Sequence, residues 1–580
     1  MADGAPQPDG VTETSGSITA GGALLARLKA LGVDYIFANS GTDYPPIIEG
    51  LAEAAANDID LPEALVMPHE SAAMGMAHGY YLATGRPQAV MAHTNVGLAN
   101  CAIGAINAAA ESIPILMFSG RTPILEKGHP GARTVPIGWG QEMRDQTALV
   151  REACKWDYEL RYPEQAIDLA DRAYGIALSS PAGPVYVGLP REPLCDPCPT
   201  DGLDAPPSMA PARAAPGTTE IEAAASMLAG AERPLIIAQH GAGSADAFAT
   251  LTRLVDDWGI PVLHYFAVQI AIPTDHPMCV GGSPEPWLSE ADAILVLNSL
   301  APWSPANGEP RPDCPIIQIG PNPLHSRFPV RNFRSDLSIL SETAPAVTAL
   351  ADALAPFADR YRQKRNARRA NVAAQTDKIR DRVRARATAG AGTLMTKEWA
   401  SHCLSEALAD AGPSTVISEL GCRLDALRRT EHNSFQLAPH SGGLGWGFAC
   451  ALGIQLADRE RIVVASVGDG SYLFANPAVC HQIAEALNLP VLVLVLNNAE
   501  WRAVRDSVLD IYPDGHAARA NQMPLTALSP LPEFVQIAQA SRAWARRVEG
   551  GADLPSVLAE AIMHIRTSGT QALVEVMLSD

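Results

Sequence analysis

The sequence predicts an α/β protein built from three doubly wound parallel-sheet domains. Three observations lead there: the length of the chain, a recurring alternation of short apolar strands with helix-spaced segments, and two seams where that alternation stops. At 580 residues the chain exceeds what one hydrophobic core usually serves. In its first third, "VDYIFAN", "EALVMP", "QAVMAH" and "PILMFSG" read as short buried strands. Between them, "GGALLARLKALG", "SAAMGMAHGYYLATG" and "NCAIGAINAAAES" carry apolar residues at helical spacing. Strands that alternate with helices imply a parallel sheet covered on both faces.

The same grammar returns in the middle of the chain through "PLIIAQHG", "PVLHYF", "DAILVLNS" and "PIIQIG", and in its last third through "STVISEL", "RIVVASVGD", "PVLVLVLNN" and "QALVEVML". The first seam, "PCPTDGLDAPPSMAPARAAPG", is too rich in Pro, Ala and Gly for a packed element and reads as a linker. The second, "RYRQKRNARRANVAAQTDKIRDRVRARATAGAG", is basic and helix-prone with few apolar positions, as a solvated connecting helix would be. The expected organisation is a disordered tail over 1–17, domains over 18–190, 218–350 and 394–580, a linker over 191–217 and a linker helix over 351–393.

A hydrophobic content of 47% with 18% charged residues is that of an ordinary globular protein. The net charge of -20 argues against a nucleic-acid partner, since phosphate binding needs clustered Lys and Arg. The first twenty residues lack the basic and apolar regions of a signal peptide, and no long apolar run suggests a membrane span, so a cytoplasmic location is expected. The ten cysteines sit mostly alone in apolar surroundings, which suits reduced core residues. Cys195 and Cys198 have CxxC spacing but lie in a Pro-rich stretch with no second pair. In the middle segment, "HGAGS" invites a dinucleotide reading, yet after Gly241 and Gly243 the third glycine position is Asp246.

The most informative stretch is "SVGDGSYLFANPAVCHQIAEALNLPVLVLVLNNAEW", residues 466–501. One strand is expected to stop on Gly468, Asp469, Gly470 and Ser471 and the next on Asn497 and Asn498, each on small polar residues rather than on a helix. In open parallel sheets, ligands bind beyond the carboxyl ends of the strands. There, backbone amides next to glycine can approach an anion, while Asp469 offers a hard carboxylate oxygen. One carboxylate, one side-chain carbonyl and a main-chain carbonyl suit Mg2+, whose other ligands are phosphate oxygens and water. The residues therefore point to a diphosphate held through magnesium.

This arrangement resembles the thiamine diphosphate motif of the acetolactate synthase, pyruvate decarboxylase and benzoylformate decarboxylase superfamily, with acetolactate-synthase-like proteins the nearest in pattern. The resemblance implies a pyrimidine-binding first domain, a central Rossmann-like domain and a diphosphate-binding last domain. It makes Asp469 and Asn498 side-chain metal ligands and Glu500 a ligand through its backbone carbonyl. It also implies a glutamate against the aminopyrimidine, which "VMPHESAAMGMAHGYYLATGRPQAV" supplies as Glu70; a carboxyl there can share a proton with a ring nitrogen. Alone, Glu70 would read as a helix N-terminal acid favoured by the macrodipole.

Further segments follow the same pattern. In "SGGLGWGFACALGIQLA", Leu444 is the candidate to prop the cofactor into a bent shape, the alternative being a loop leucine in the core. "ISELGCR" places Leu420, Gly421 and Cys422 near the diphosphate. "IFANSGTDYPPIIEGL" aligns with the family loop bearing active-site residues, so Gly41, Thr42 and Asp43 face the reacting carbon. "MAHTNVGLAN" puts His93 where benzoylformate decarboxylase also has a histidine, suited to proton transfer near neutral pH; a structural histidine is the alternative. "GWGQEMRDQTALVREACKW" looks like the acetolactate synthase segment with its Gln-Glu pair, here Gln141 and Glu142, with a surface helix start as the alternative for Gln141.

Two departures bear on the substrate. The glycine-rich "PGG" of acetolactate synthases is "SGT" here, and the His-His pair of pyruvate decarboxylases is missing. The resemblance implies attack on a 2-oxo acid or aldehyde with loss of CO2, then carboligation as the first expectation and protonation, as in a decarboxylase or C–C lyase, as the alternative. It also implies a homodimer at minimum, with Glu70 and Asp469 of one centre from different subunits, and a tetramer is common in the family. A non-catalytic cofactor-binding homologue is disfavoured by the joint presence of Glu70, Asp469 and Asn498. FAD, which acetolactate synthases can carry in the middle domain, finds no support in the broken glycine pattern.

Overall fold

The computed structural model describes residues 17–392 and 395–579. The tail read over 1–17 lies outside the described residues except for Ser17, which opens a strand. The chain forms two compact units: one holds the residues up to 73 with 86–178 and 182–211, the other holds 74–85, 179–181 and everything from 212 onward.

The first unit contains β1 (Ser17–Thr19), β2 (Tyr35–Ala38), β3 (Glu63–Val66), β4 (Ala89–Ala92), β5 (Leu116–Arg121), β6 (Asp157–Glu159), β7 (Val185–Pro190) and β8 (Pro197–Pro199). Six of them make an all-parallel sheet in the order β3-β2-β4-β5-β7-β6. β4, β5 and β7 are buried along almost their whole length, as strands covered on both faces must be. Leu24, Leu25 and Leu28 of the helix Ala20–Ala30 share the core with Ile36, Leu116, Phe118 and Val187.

The Pro-rich seam is more structured than its composition suggests. β8 pairs antiparallel with β1, and the residues after it wrap the guanidinium of Arg27, which is 1% exposed. Arg27 donates to the carbonyls of Leu203 (2.8 Å) and Ala205 (2.6 Å) and forms a bidentate pair with Asp171 at 2.6 and 2.8 Å. Proline cannot donate to a ladder, but an edge strand tolerates it, and a buried arginine offers five donors to carbonyls that lack strand partners.

In the second unit, β9 (Pro234–Ala238), β10 (Val262–Leu263), β11 (Ala293–Leu297), β12 (Ile316–Gly320) and β13 (Leu337–Leu340) form a parallel sheet in the order β10-β9-β11-β12-β13. β14 (Ser414–Glu419), β15 (Phe435–Leu437), β16 (Ile462–Gly468), β17 (Leu492–Asn497), β18 (Trp544–Val548) and β19 (Ala572–Met577) form another, in the order β15-β14-β16-β17-β19-β18. The basic seam is the 28-residue helix Arg362–Ala389, which buries only Val372, Thr376 and Ala387. The fold is thus three parallel α/β sheets, and the first and last share one strand order. No described helix is long and apolar enough to cross a membrane.

Candidate active site

The strand order selects where function can sit. In the first sheet the chain goes outward from β2 to β3 and then returns to β4 on the other side, so β2 and β4 are neighbours whose connections leave in opposite directions. The crevice beyond their carboxyl ends is the switch point at which open α/β sheets bind ligands. Gly41, Thr42 and Asp43 follow β2, and His93 follows β4. Fifty residues apart in sequence, Asp43 and His93 meet: Nδ1 of His93 lies 2.5 Å from Oδ1 of Asp43. Oδ2 of Asp43 accepts from the Thr94 amide at 3.2 Å, and the carboxylate is only 6% exposed. The hydrogen bond to Asp43 raises the pKa of His93, its charge adds to that, and partial burial opposes both.

Gln141 reaches the other ring nitrogen, with its Nε2 3.0 Å from Nε2 of His93. An amide can turn either end to an imidazole: its NH2 donates to the neutral ring, and its carbonyl accepts from the imidazolium. Thr42 is exposed, its carbonyl accepts from Arg191 at 3.1 Å, and it lines one cleft with Asp43, Thr94 and Gln141. Glu142, the neighbour of Gln141, points elsewhere, pairing with Arg121 at 2.9 Å and with Arg133.

Glu70 opens the helix Glu70–Thr84 directly after β3 and is 5% exposed. Oε2 accepts from Nδ2 of Asn100 at 3.0 Å, and Oε1 lies against Gly97, where an added Cβ would stand 2.6 Å away. Both partners come from the helix Thr94–Ala110 that leaves β4, so the two sides of the switch point hold the carboxyl together. Nearby, the hydroxyl of Tyr44 is buried with no hydrogen-bond partner among the described residues, and burial, then the charge of Asp43, raises its pKa.

The last sheet has its own switch point, between β14 and β16. Contrary to expectation, Asp469 does not lie in a loop: β16 runs to Gly468 and a helix, Asp469–Phe474, starts at once. Oδ1 of Asp469 accepts from the Gly470 amide at 2.8 Å, whereas Oδ2 is buried with no partner among the described residues, as is Oγ of Ser471. Burial raises the pKa of Asp469, and the amides of Gly470, Ala499, Asn498 and Glu500 pull it down, so the carboxyl faces the turn after β17. Of the asparagine pair, Asn497 is structural: its Nδ2 donates to buried Glu575 at 2.7 Å and its Oδ1 accepts from Ala499 at 2.9 Å. Asn498 is half-buried, and its Oδ1 accepts from the Glu500 amide at 3.1 Å.

After β14, Leu420 has a left-handed backbone with φ 57 and Gly421 presses on Ser466, where a Cβ would meet the carbonyl oxygen at 2.2 Å. The Cys422 amide is spent inward on Oγ of Ser466 at 2.9 Å, and its thiol is buried. Leu444 is half-buried in the loop before the helix Trp446–Ala457.

Three family models match this chain: the N-terminal thiamine pyrophosphate (TPP) binding domain over residues 18–149, the central domain over 221–350 and the C-terminal TPP binding domain over 419–576. The chain belongs to the thiamine pyrophosphate enzyme family. Among its relatives, a probable 2-ketoarginine decarboxylase of Pseudomonas aeruginosa is 26% identical over 520 residues, covering 86% of each chain. The large subunit of acetolactate synthase isozyme 3 of Escherichia coli is 25% identical over 539 residues, 87% of this chain and 86% of that one. A thiamine diphosphate-dependent 4-hydroxybenzoylformate decarboxylase of Rhodococcus jostii superposes with a TM-score of 0.76 at 20% identity, over 97% of this chain and 99% of that chain, a likeness of fold.

Within this TPP enzyme, sequence reasoning missed Glu419, Asn100 and Lys397. Glu419 is fully buried at the end of β14, where its Oε1 accepts from the Gly445 amide at 2.6 Å and Oε2 from Gly447. Burial pushes its pKa up to about 7 against those amides. A lone acid at the end of the apolar run "STVISEL" was the available signal. Lys397 donates from Nζ to the Leu420 carbonyl at 2.8 Å, and no local pattern marks that contact.

Proposed function

We propose that this chain is a thiamine diphosphate- and Mg2+-dependent enzyme that decarboxylates a 2-oxo acid and closes its cycle by protonation, in the manner of a non-oxidative decarboxylase. The observation that carries this reading is the Asp43–His93–Gln141 array. It holds an imidazole that stays protonated to higher pH than an isolated one, with an amide on its second nitrogen that accommodates either charge state. This reverses the order that sequence alone suggests, in which carboligation came first. Carboligation is the second reading; it is favoured by the Gln141 segment and by relatives named acetolactate synthase.

When bound, the cofactor's thiazolium supplies an electron sink for the pair released as CO2 leaves. The chain's own residues do the rest. Glu70 would present its carboxyl to the aminopyrimidine, and Asn100 fixes that carboxyl through Oε2. His93 delivers a proton from Nε2 to the carbon that lost CO2, Asp43 orients the ring through Nδ1, and Gln141 turns its amide to match the charge on the ring. Thr42 lines the cleft beside them.

A divalent cation fits the second unit because Asp469 has a buried carboxylate oxygen without a partner among the described residues, which is unfavourable unless a ligand meets it. Asp469, the side-chain carbonyl of Asn498 and the main-chain carbonyl of Glu500 would hold Mg2+, an all-oxygen set of the kind that ion prefers. Ser471 and the turn at Leu420–Cys422 would help hold the diphosphate, and Leu444 would support the thiazolium. The family resemblance supports at least a homodimer whose centres draw Glu70 and Asp469 from different subunits, most simply a cytoplasmic homotetramer.

The test is product analysis by mass spectrometry. The purified protein with thiamine diphosphate and Mg2+ is given benzoylformate, 2-ketoarginine and pyruvate in turn, beside Glu70→Gln. An aldehyde from one of these, lost in the variant, is expected. Acetolactate from pyruvate would transfer the case to carboligation, and failure to bind the cofactor would remove the proposal.

A further inference from the structure

We propose that Lys397 binds the diphosphate of the cofactor and supplies the positive charge that the glycine turns of this site lack; this rests on the function proposed above. The residue sits where the last sheet ends. Met395 bridges to Leu578 just beyond β19, Thr396 caps the helix Lys397–Ala409 by accepting from the Trp399 amide, and Lys397 is its first residue. From there its Nζ reaches the Leu420 carbonyl at 2.8 Å, on the turn between β14 and Cys422.

The surroundings are cationic and unevenly matched. Arg423 is paired with Glu398 at 3.2 Å and Arg502 with Asp506 at 2.8 Å, so both guanidinium groups have carboxylates of their own. Among the described residues Lys397 forms no ion pair, and its one hydrogen bond leaves two of the three ammonium protons free. Burial, then the charge of Arg423, works against its ammonium form, while Asp469 favours that form. An ammonium held in such a place is compensated by an anion.

A second, independent observation says that something binds here. Among the described residues, Oδ2 of Asp469 and Oγ of Ser471, in residues 4% and 1% exposed, have no hydrogen-bond partner. A metal-bound diphosphate meets all three needs, with the cation on Asp469, a phosphate oxygen on the Ser471 hydroxyl and another on Lys397. The amides of Gly470 and Cys422 are already spent inside the protein, which leaves the lysine as the strong donor of the cradle.

The experiment is calorimetric titration of the cofactor-free protein with thiamine diphosphate and, separately, with inorganic pyrophosphate, both with Mg2+. Lys397→Met is expected to weaken both by about tenfold or more, the scale of one charge-assisted hydrogen bond, and Lys397→Arg to stay within about threefold of wild type. Lys397→Gln carries the same expectation as the methionine variant, should that one fold poorly. Unchanged Kd values in both neutral variants overturn the inference and leave the proposed function standing. So does a loss for thiamine diphosphate without one for pyrophosphate, because the lysine would then act elsewhere on the cofactor. A wild-type protein that binds neither ligand overturns both.

Discussion

Gly97→Ala tests whether the position of Glu70, rather than its presence, matters. A Cβ at residue 97 would stand 2.6 Å from Oε1 of Glu70 and 3.2 Å from Cβ of Ala92. Ordinary contact begins at 3.4 Å, so the methyl group falls about 0.8 Å short of it and something must give. Ala92 belongs to a central strand and cannot move far. The yielding group is therefore the Glu70 carboxyl, at the end of a side chain that Asn100 ties down from one side. A catalytic group must be held to about 0.5 Å, and a misplacement near 1 Å can cost on the order of a hundredfold in rate. The stability cost of one extra methyl group in a packed site is about 1–3 kcal/mol. The assays are exchange of the cofactor's C2 proton for deuterium, followed by NMR, and thermal unfolding of the same sample. Exchange slowed by about ten- to a hundredfold in a folded variant is expected. A wild-type exchange rate in a folded Gly97→Ala protein would refute the placement of Glu70 at the reacting cofactor.

Three further outcomes follow from other contacts. Asp43 raises the pKa of His93, so the imidazolium survives to higher pH in the wild type; in Asp43→Asn the alkaline limb of the rate profile moves to lower pH, and a limb that stays in place would dissociate His93 from the rate. If one centre draws on two chains, mixing Glu70→Gln with Asp469→Ala subunits restores up to one intact centre per dimer, and no recovery after co-expression would place both residues in the same chain's site. Asp171→Ala strips the 1% exposed Arg27 of its partner and should cost about 3–5 kcal/mol in denaturant unfolding, with the pair's contribution in the wild type lost as pH falls through the depressed pKa of Asp171. A loss of less than about 1 kcal/mol would show that the carbonyls of Gly202, Leu203, Ala205 and Pro206 around Arg27 suffice.

Much of the architecture was legible because a buried parallel strand is a continuous apolar run: "LVLVLN" and "IVVASVG" announce β17 and β16 without help from partners. The edge strands β18 and β6 gave no such signal. β18, "WARRV", carries two adjacent exposed arginines, and β6 is only three half-buried residues, so both derive their form from the neighbour they pair with. In the site, Asp469 and Asn498 stood out because a short polar motif closes each strand. Asn100 and Lys397 did not, since nothing around them in sequence differs from an ordinary helix.

By itself the sequence determined three parallel α/β sheets and the family, and it singled out Glu70, Asp469 and Asn498 as the residues proposed for the site, because these are local patterns of apolar runs and strand-end residues. Tertiary structure decided the rest. The meeting of Asp43 with His93, of Glu419 with the amides of Gly445 and Gly447, and of Lys397 with the Leu420 carbonyl depends on which strands become neighbours. That order brings groups 23 to 50 residues apart within hydrogen-bond distance, where Asp43 raises the pKa of His93 and two amides oppose the rise that burial causes at Glu419. Period and composition carry no record of such distances, so the electrostatics of the site emerge only once the sheet is assembled.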